Sequence, residues 1–194
     1  FAQRILKNVL FALKSQNEQA KIKKSFAGHT KQCDVGIEKP ITTKGDRFCG
    51  ESSCRGLRKW MEDQVLVEPE LMLKRNGQIQ SCQLYGVFDG HGGASCAQFA
   101  KDNLANYLKQ KIEQSSEWND QIIYPAFKDV MVELNENFFN ANRTMGIRNE
   151  SGTTVLCALV IGEHVWVANV GDSRAILVDS FGQVVQASHD AKPN

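Results

Sequence analysis

The middle of the chain contains two stretches in which apolar side chains recur at three- and four-residue intervals. In the first stretch they stand at positions 97, 100, 104, 107, 108 and 112. The second covers 118–141, where one stripe holds Trp118, Ile122, Ile123, Phe127, Val130, Leu134 and Phe138. This spacing matches the turn of an α-helix. Both stretches therefore predict amphipathic helices that bury one face against a core.

Runs rich in β-branched and aromatic residues flank this helical region and predict short strands. They cover 47–54, 64–68 and 81–88 before the helices, and 153–161, 164–170, 174–178 and 183–187 after them. Gly162-Glu163 has glycine first, as in a two-residue hairpin turn. The order of elements predicts an α+β fold in which helices cover an antiparallel sheet.

The first part of the chain differs in charge from the rest. Residues 1–32 contain seven lysines and arginines and one glutamate, a net charge of +6, which leaves −5 for the remaining residues. Residues 4–13 favour a short amphipathic helix, and a transit peptide or a membrane-surface helix are the alternatives. We interpret 15–46 as a polar linker. The predicted organisation is a basic N-terminal helix and linker, 1–46, followed by a domain portion, 47–194.

Composition limits the class of protein. With 42% hydrophobic and 23% charged residues, the 194-residue chain has the balance of a globular domain. Its net charge of +1 argues against a dedicated nucleic-acid binder, and no apolar run reaches the roughly 18 residues that span a membrane. Six cysteines without a Cys-x-x-Cys pair fit reduced thiols better than a disulfide scaffold. We expect an intracellular protein, cytoplasmic or nuclear, unless the basic N-terminus directs it to an organelle.

The segment Asp89-Gly90-His91-Gly92-Gly93 directly follows the apolar strand predicted at 81–88. A carboxylate, a main-chain carbonyl and an imidazole within three residues form a compact set for metal binding or acid–base chemistry. The glycines allow a sharp turn that presents N–H groups where the next helix begins. The alternative is a glycine-rich turn in which the aspartate is only a cap.

Two further polar segments contain groups suited to phosphate and metal chemistry. Arg58 can bind a phosphate through two parallel hydrogen bonds. Glu62 and Asp63 offer adjacent hard oxygen donors, which suit Mg²⁺ or Mn²⁺ better than Zn²⁺. Asp172 and Arg174 lie in a turn between two apolar strands. Each segment alone is more typical of a solvated turn than of a functional site.

Four motifs follow one another along the chain. They are Arg58-x-x-Met61-Glu62-Asp63, Val87-Phe88-Asp89-Gly90-His91-Gly92-Gly93, Ser151-Gly152-Thr153-Thr154 and Val167-Ala168-Asn169-Val170-Gly171-Asp172-Ser173-Arg174. In this order and spacing they resemble the metal-dependent type 2C protein phosphatases, and the resemblance covers about 47–194. It implies a four-layer α-β-β-α fold, an antiparallel β-sandwich flanked by helices. It also implies hydrolysis of phosphoserine and phosphothreonine in proteins.

The resemblance implies a site for two divalent ions, Mg²⁺ or Mn²⁺. Asp89 corresponds to the carboxylate that bridges both ions, and Gly90 to the residue whose main-chain carbonyl binds one of them. Glu62 and Asp63 correspond to carboxylates that support the ions, directly behind the ligands or through water. Asp172 corresponds to the acid that helps to hold an additional, weaker ion in some members.

The resemblance also assigns the groups that contact the substrate. Arg58 corresponds to the clamp on the phosphate, and His91 to the general acid that protonates the leaving seryl or threonyl oxygen. A positioned acid of this kind contributes roughly 10²–10⁴ in rate. The expected partners are phosphoprotein substrates, with no nucleic acid and no stable membrane span, and we expect a monomer.

The family's second half supplies further metal-binding aspartates, one in an Asp-Gly pair and one in an Asp-Asn pair. No Asp-Gly pair follows Asp89-Gly90 in this chain. We therefore expect the C-terminal part of the fold to be missing here, and the chain alone to be an incomplete enzyme. The alternative is a pseudophosphatase or a truncated regulatory module that binds without turnover. An esterase is disfavoured because there is no Gly-x-Ser-x-Gly elbow.

Overall fold

The computed structural model describes residues 41–42, 48–51, 53, 55–179 and 181–191. They belong to two compact units, Phe1–Met61 with Arg174–His189 and Glu62–Ser173 with Asp190–Asn194. The helix predicted over 4–13 and most of the linker predicted over 15–46 lie outside the described residues, and the division at residue 46 stays a prediction. Among the described helices, none combines the length and the hydropathy that crossing a membrane requires.

One four-stranded antiparallel sheet forms the basis of the second unit. The elements in chain order are β1 Ile41–Thr42, β2 Phe48–Cys49, β3 Gln64–Arg75, β4 Gln78–Phe88, β5 Gly90–His91, α1 Ser95–Ile112, α2 Asp120–Thr144, β6 Gly152–Thr153, β7 Val155–Ile161, β8 His164–Val170, β9 Ile176–Val178 and β10 Val184–Ala187. The sheet has the strand order β3-β4-β7-β8, and β5 pairs separately with β6. Within the first unit, β1 pairs with β2 and β9 pairs with β10.

The first hairpin of the sheet is longer than the sequence pattern predicted. Strands were expected only at 64–68 and 81–88, whereas β3 and β4 run up to either side of Asn76-Gly77. These two residues have φ values of 48° and 77°. Both are left-handed, as in the hairpin turn whose twist matches the right-handed twist of the flanking strands. The turn therefore extends the hairpin through a polar stretch that lacks a clear strand pattern.

A proline inside β3 explains why that strand was underestimated. Pro69 has no N–H to donate, and the register of the hairpin shifts between Glu68 and Leu71. Such a break is tolerated because β3 is an edge strand of the sheet. Beyond the break the side chains alternate again, with Leu71 and Leu73 buried and Met72 exposed.

The two helices occupy the predicted positions and bury the predicted faces. Helix α1 buries Ala97, Ala100, Leu104, Leu108 and Ile112, and α2 buries Ile123, Ala126, Phe127, Val130, Leu134 and Phe138. Helix α2 begins later than expected because the Asn119 side chain caps it, accepting a hydrogen bond from the Gln121 N–H at 3.1 Å. Trp118 therefore precedes the helix.

The core of the second unit lies between the helices and one face of the sheet. Leu84 and Phe88 of β4 and Leu159 of β7 are fully buried with the inner residues of both helices. The Trp166 indole N–H of β8 donates to Asp120 Oδ1 at 2.8 Å, which ties the sheet to the first turn of α2. The α+β class, with helices covering an antiparallel sheet, is confirmed.

Strands of the first unit are shorter than predicted. Of 47–54, only β2 is a strand among the described residues, and 174–178 and 183–187 contribute β9 and β10. Strand β9 ends at the predicted residue, Val178, and Asp179 turns the chain there, because its Oδ1 accepts hydrogen bonds from the Phe181 and Gln183 N–H groups, each at 2.9 Å. A side chain that bonds nearby backbone in this way favours a turn over a continued ladder.

Leu73 and Met72 of β3 lie on opposite faces of the sheet, and substitutions at both test which face is buried. Replacing Leu73, which is 0% exposed, with alanine is expected to lower the free energy of unfolding by about 2–5 kcal/mol, through lost burial and the cavity left behind. Met72→Ala is the matched control, because Met72 is 45% exposed, and we expect about 0.5 kcal/mol or less. Urea unfolding measures both, and equal losses would contradict the assignment of faces.

Candidate functional site

The candidate residues of the second unit lie where β4 ends and β7 begins. Asp89 follows β4, and Thr154 precedes β7. The register of these two strands continues into the β5–β6 pair, where His91 faces Gly152. Asp89 and Thr154 therefore face each other in the short interruption between the two ladders.

Thr154 holds the backbone of Asp89 on both sides. The Thr154 N–H donates to the Asp89 carbonyl at 3.0 Å, as in an ordinary ladder. The Asp89 N–H instead donates to the Thr154 hydroxyl oxygen at 3.1 Å. The Thr154 carbonyl accepts the Thr153 hydroxyl at 2.8 Å. A side chain thus replaces the main chain in one bond, which fixes Asp89 at the sheet end without continuing the strand.

The same hydroxyl reaches the turn that contains Asp172. Thr154 Oγ1 lies 2.7 Å from Ser173 Oγ. Gly171 has φ +109°, and a Cβ there would come within 2.6 Å of the Thr154 methyl carbon. Asn169 Nδ2 donates to the Ser173 carbonyl at 2.8 Å. The turn is therefore packed against Thr154, and Asp172 itself is exposed.

Glu62 and Asp63 run along the other side of the segment that contains Asp89. Gln64 is the first residue of β3 and pairs with the last residue of β4, so Glu62 and Asp63 extend beyond the sheet beside Asp89-Gly90. A Cβ at Gly90 would overlap the Glu62 carbonyl, so only glycine permits this approach. Asp63 is partly buried, and its Oδ1 is fully buried.

The Glu62 carboxylate is fixed by the main chain that leads into α1. Its Oε1 accepts a hydrogen bond from the Gly93 N–H at 2.9 Å. Gly93 lies two residues before α1 begins, and the first turn of that helix contains no acidic residue. The positive end of a helix stabilises a carboxylate placed near it. A main-chain N–H thus orients the Glu62 carboxylate.

His91 lies against a residue that has no side chain. A Cβ at Gly152 would collide with the His91 imidazole. The two residues are cross-strand partners in the β5–β6 pair. His91 remains exposed to solvent. The ring therefore has a defined support while staying accessible, as a group that exchanges a proton with a substrate requires.

Ser151 has a structural role that the sequence analysis did not assign. Its Oγ accepts a hydrogen bond from the Cys96 N–H in the first turn of α1, at 3.2 Å. Ala94 occupies the cap position and has no side-chain oxygen for this purpose. Ser151 belongs to the motif Ser151-Gly152-Thr153-Thr154, so the sequence indicates that this residue matters. Sequence spacing does not show which N–H groups its hydroxyl contacts.

Six of the seven predicted site residues belong to the second unit. Glu62, Asp63, Asp89, Gly90 and His91 lie at one end of the sheet in the second unit. Asp172 lies at the same end, because its neighbour Ser173 is hydrogen-bonded to Thr154. The first unit contains Arg58, which is exposed and follows a turn in which its N–H donates to the Arg55 carbonyl at 3.3 Å.

The donors at this sheet end fit Mg²⁺ or Mn²⁺ in kind. Glu62, Asp63 and Asp89 supply carboxylate oxygens, and Gly90 supplies a main-chain carbonyl, all hard ligands that these ions prefer. Within the described part of the chain, no three or more His, Cys, Asp or Glu side chains are grouped closely enough to hold an ion.

An Asp-Asn pair does occur after Asp89, but it belongs to a helix. Asp102 Oδ1 accepts a hydrogen bond from Gln98 Nε2 at 2.8 Å. Asn103 Nδ2 donates to the Phe99 carbonyl, also at 2.8 Å. Both bonds join residues four apart within α1. The pair therefore stabilises α1 rather than matching the Asp-Asn pair implied for the second half of the fold.

The cysteines among the described residues have raised pKa values, whereas a thiolate nucleophile has a lowered one. Burial raises the pKa of Cys82 to about 11 and the pKa of Cys157 to about 12. Cys49 and Arg55 have the Cys-x₅-Arg spacing of cysteine-dependent phosphatases. Burial, with a smaller effect of the Glu51 charge, raises the pKa of Cys49 as well. A nucleophilic cysteine requires a lowered pKa, so these thiols are not suited to that role.

Comparison with known proteins relates this chain to one family. The profile described as protein phosphatase 2C matches residues 48–194. A rice protein named "Probable protein phosphatase 2C member 13, mitochondrial" is 38% identical over 150 residues, covering 77% of this chain. A bovine protein named "Protein phosphatase 1L" is 34% identical over 143 residues, covering 73% of this chain.

Among solved structures, a point mutant of a bacterial serine phosphatase matches with a TM-score of 0.53 and 22% identity. The match covers 82% of this chain and 62% of that structure, and it supports the fold alone. The aligned region spans only 38% of the length of both the rice and the bovine relative.

The close approach of Glu62 to Gly90 can be tested by substitution. Gly90→Ala is expected to lower the free energy of unfolding by about 1–3 kcal/mol, because the added methyl group would overlap the Glu62 carbonyl. Gly50→Ala is the matched control, since a Cβ at Gly50 would have no atom within 4 Å. Chemical denaturation compares the two variants, and a Gly90→Ala protein as stable as the control would refute the contact.

Proposed function

The chain belongs to the protein phosphatase 2C family, and on that premise we propose that the protein hydrolyses phosphoserine and phosphothreonine esters in other proteins with Mg²⁺ or Mn²⁺ as cofactor. One observation carries the proposal. Asp89 is held at the end of the sheet by two hydrogen bonds to Thr154, directly beside Glu62 and Asp63. Hydrolysis of a phosphoester by divalent ions requires ligands whose positions the fold fixes, and here the fold fixes the backbone of Asp89.

We propose that Asp89 and the main-chain carbonyl of Gly90 bind the ions directly. Glu62 and Asp63 would support them through water, and Asp172 would help to hold an additional ion. When bound, two divalent ions supply the charge that activates a water molecule and neutralises the phosphoryl oxygens. Before any ion binds, the Gly93 N–H already holds the Glu62 carboxylate, and Thr154 already holds the backbone of Asp89.

Arg58 and His91 are proposed to contact the substrate. Arg58 presents a planar guanidinium that can bind two phosphoryl oxygens in parallel, in the ground state and the transition state alike. His91 donates a proton to the seryl or threonyl oxygen as the bond to phosphorus breaks. An alkoxide is a poor leaving group, so this proton transfer lowers the barrier. The exposed imidazole supported on Gly152 is consistent with that role.

We further propose that the enzyme acts on phosphoprotein substrates as a monomer inside the cell. Organelle targeting by the basic residues 1–32 would agree with the rice relative, whose name places that protein in mitochondria. A pseudophosphatase is disfavoured because Asp89 and His91 are present and their backbones are held in defined positions.

Asp89→Asn is expected to reduce kcat for a phosphoserine peptide by about 10²-fold or more in the full-length protein, because the amide removes a negative charge from the ion-binding carboxylate. Removing divalent ions with EDTA should abolish turnover, and Mn²⁺ should restore it. Asp102→Asn is the matched control, since Asp102 is bonded within α1. Full activity in EDTA, or equal activity of both variants, would refute the proposed site.

Substitutions at the two residues proposed to contact the substrate are expected to change different kinetic parameters. Arg58→Ala should mainly raise KM, because a clamp on the phosphate acts before and during the reaction. His91→Gln should lower kcat, strongly for an alkyl phosphate and weakly for an aryl phosphate whose leaving group needs no acid. Steady-state kinetics on a phosphoserine peptide and on p-nitrophenyl phosphate distinguish them. Equal losses on both substrates would exclude His91 as the acid.

We propose that residues 1–194 alone are not a competent phosphatase. Asp89 and the Gly90 carbonyl are too few direct ligands for two hard cations, which prefer about six oxygen ligands each. The expected result is weak Mn²⁺ binding by calorimetry and no turnover of a phosphopeptide. Micromolar Mn²⁺ affinity together with turnover by the isolated chain would contradict this expectation.

A further inference from the structure

We propose that Asn149 is a positioning residue for the reaction, which holds residues 149–152 against the turn after Asp89 and so fixes the support of the His91 imidazole. The proposal rests on the proposed role of His91 as general acid. Asn149 lies outside the four sequence motifs, in the connection between α2 and β6. Every contact that carries the proposal lies within the second unit.

The Asn149 side chain joins three separate parts of the fold. Its Oδ1 accepts a hydrogen bond from the Ser151 N–H at 3.0 Å, which sets the bend of its own segment. Its Nδ2 donates to Ser95 Oγ at the start of α1, at 2.8 Å. The same Nδ2 lies 3.3 Å from Asn142 Oδ1 in the last turns of α2. One amide therefore ties this connection to both helices.

Ser151 extends this link to the first turn of α1. Its Oγ lies 2.8 Å from Ser95 Oγ and accepts the Cys96 N–H at 3.2 Å. The N–H of Ser151 is the group that Asn149 orients. Asn149 and Ser151 thus act as one hydrogen-bonded unit that closes the helix start from outside the helix.

The segment held by Asn149 covers the glycine turn at successive points. A Cβ at Gly92 would lie 3.0 Å from the Glu150 carbonyl oxygen, and one at Gly93 would lie 3.5 Å from the Ser151 side chain. A Cβ at Gly152 would overlap the His91 imidazole. A shift of residues 149–152 would therefore move the surface on which the His91 ring rests.

In addition to the Ser151 contacts with α1 and the β5–β6 pairing, this segment has an exposed ion pair. Arg148 and Glu150 form an ion pair at 2.8 Å, but their side chains are 89% and 71% exposed. Exposed pairs of this kind contribute little to stability. Gly92 and Gly93 have φ values of +67° and +123°, so the turn beneath is itself built from residues with wide conformational freedom. Asn149 supplies directed bonds that join its own segment to the start of α1, which directly follows the glycine turn.

The test compares three variants of the full-length protein. Asn149→Leu keeps the side-chain volume and removes both the acceptor and the donor. Asn149→Asp keeps the acceptor for the Ser151 N–H and can accept a hydrogen bond from the Ser95 hydroxyl. Asn140→Leu, the matched control, makes the same chemical change at an exposed asparagine of α2. Each variant is assayed on a phosphoserine peptide and on p-nitrophenyl phosphate.

We expect Asn149→Leu to lower kcat for the phosphoserine peptide by about 10- to 100-fold, because a displaced acid no longer reaches the leaving oxygen. Activity on p-nitrophenyl phosphate should fall less than about threefold, and KM should stay within about twofold, since neither depends on the acid. Asn149→Asp should restore most of the activity, and Asn140→Leu should match the wild type. Equal losses on both substrates, or no loss, would overturn the proposal.

Hydrogen exchange of the metal-free protein separates this inference from the proposed function. In Asn149→Leu, amides of β5, β6 and the first turn of α1 should exchange faster than in the wild type, while those of β7 should not change. If His91→Gln shows no leaving-group effect, the proposed acid fails, and the exchange result alone then decides whether Asn149 positions the turn. Unchanged exchange at β5 and β6 would refute the positioning role.

Discussion

The hydrogen bond from the Asp89 N–H to the Thr154 hydroxyl determines where the sheet stops and the site begins. Before this pair, Phe88 and Val155 are buried in the core, and their strands continue as a regular ladder. After it, only the short β5–β6 pair follows. Because the hydroxyl takes the place of a main-chain carbonyl, Asp89 leaves the ladder while its backbone stays fixed. The position of the carboxylate is thus set by the packing of the core.

Three glycines show how closely the segments around Asp89 are packed. Gly90 leaves space for the Glu62 carbonyl, Gly152 for the His91 ring, and Gly171 for the Thr154 methyl group. In each case the neighbour comes from a segment distant in sequence. The site is therefore an assembly of segments at the ends of four strands, β3, β4, β7 and β8, and none of them has this arrangement until the sheet has formed.

Sequence patterns predicted the parts of this structure that repeat and missed the parts that do not. Both helices were predicted because burial recurs along them at helical spacing. The outer part of the β3–β4 hairpin was missed because Pro69 breaks the alternation and the turn at Asn76-Gly77 lies in polar sequence. Motifs predicted the carboxylates and His91 as site residues, and the structure places them at one end of the sheet. The roles of Thr154 and Asn149 depend on hydrogen bonds between residues 65 and 54 positions apart, which no periodicity indicates.

The backbone register places three acidic residues in neighbouring positions at the sheet end, where Glu62, Asp63 and Asp89 extend two adjacent strands. The Gly93 N–H holds the Glu62 carboxylate near the start of α1, and the positive end of a helix stabilises a negative charge placed there. Thr154 holds the backbone of Asp89. Under the proposed function, cations that bind the folded sheet end and not the unfolded chain would stabilise the fold by linkage.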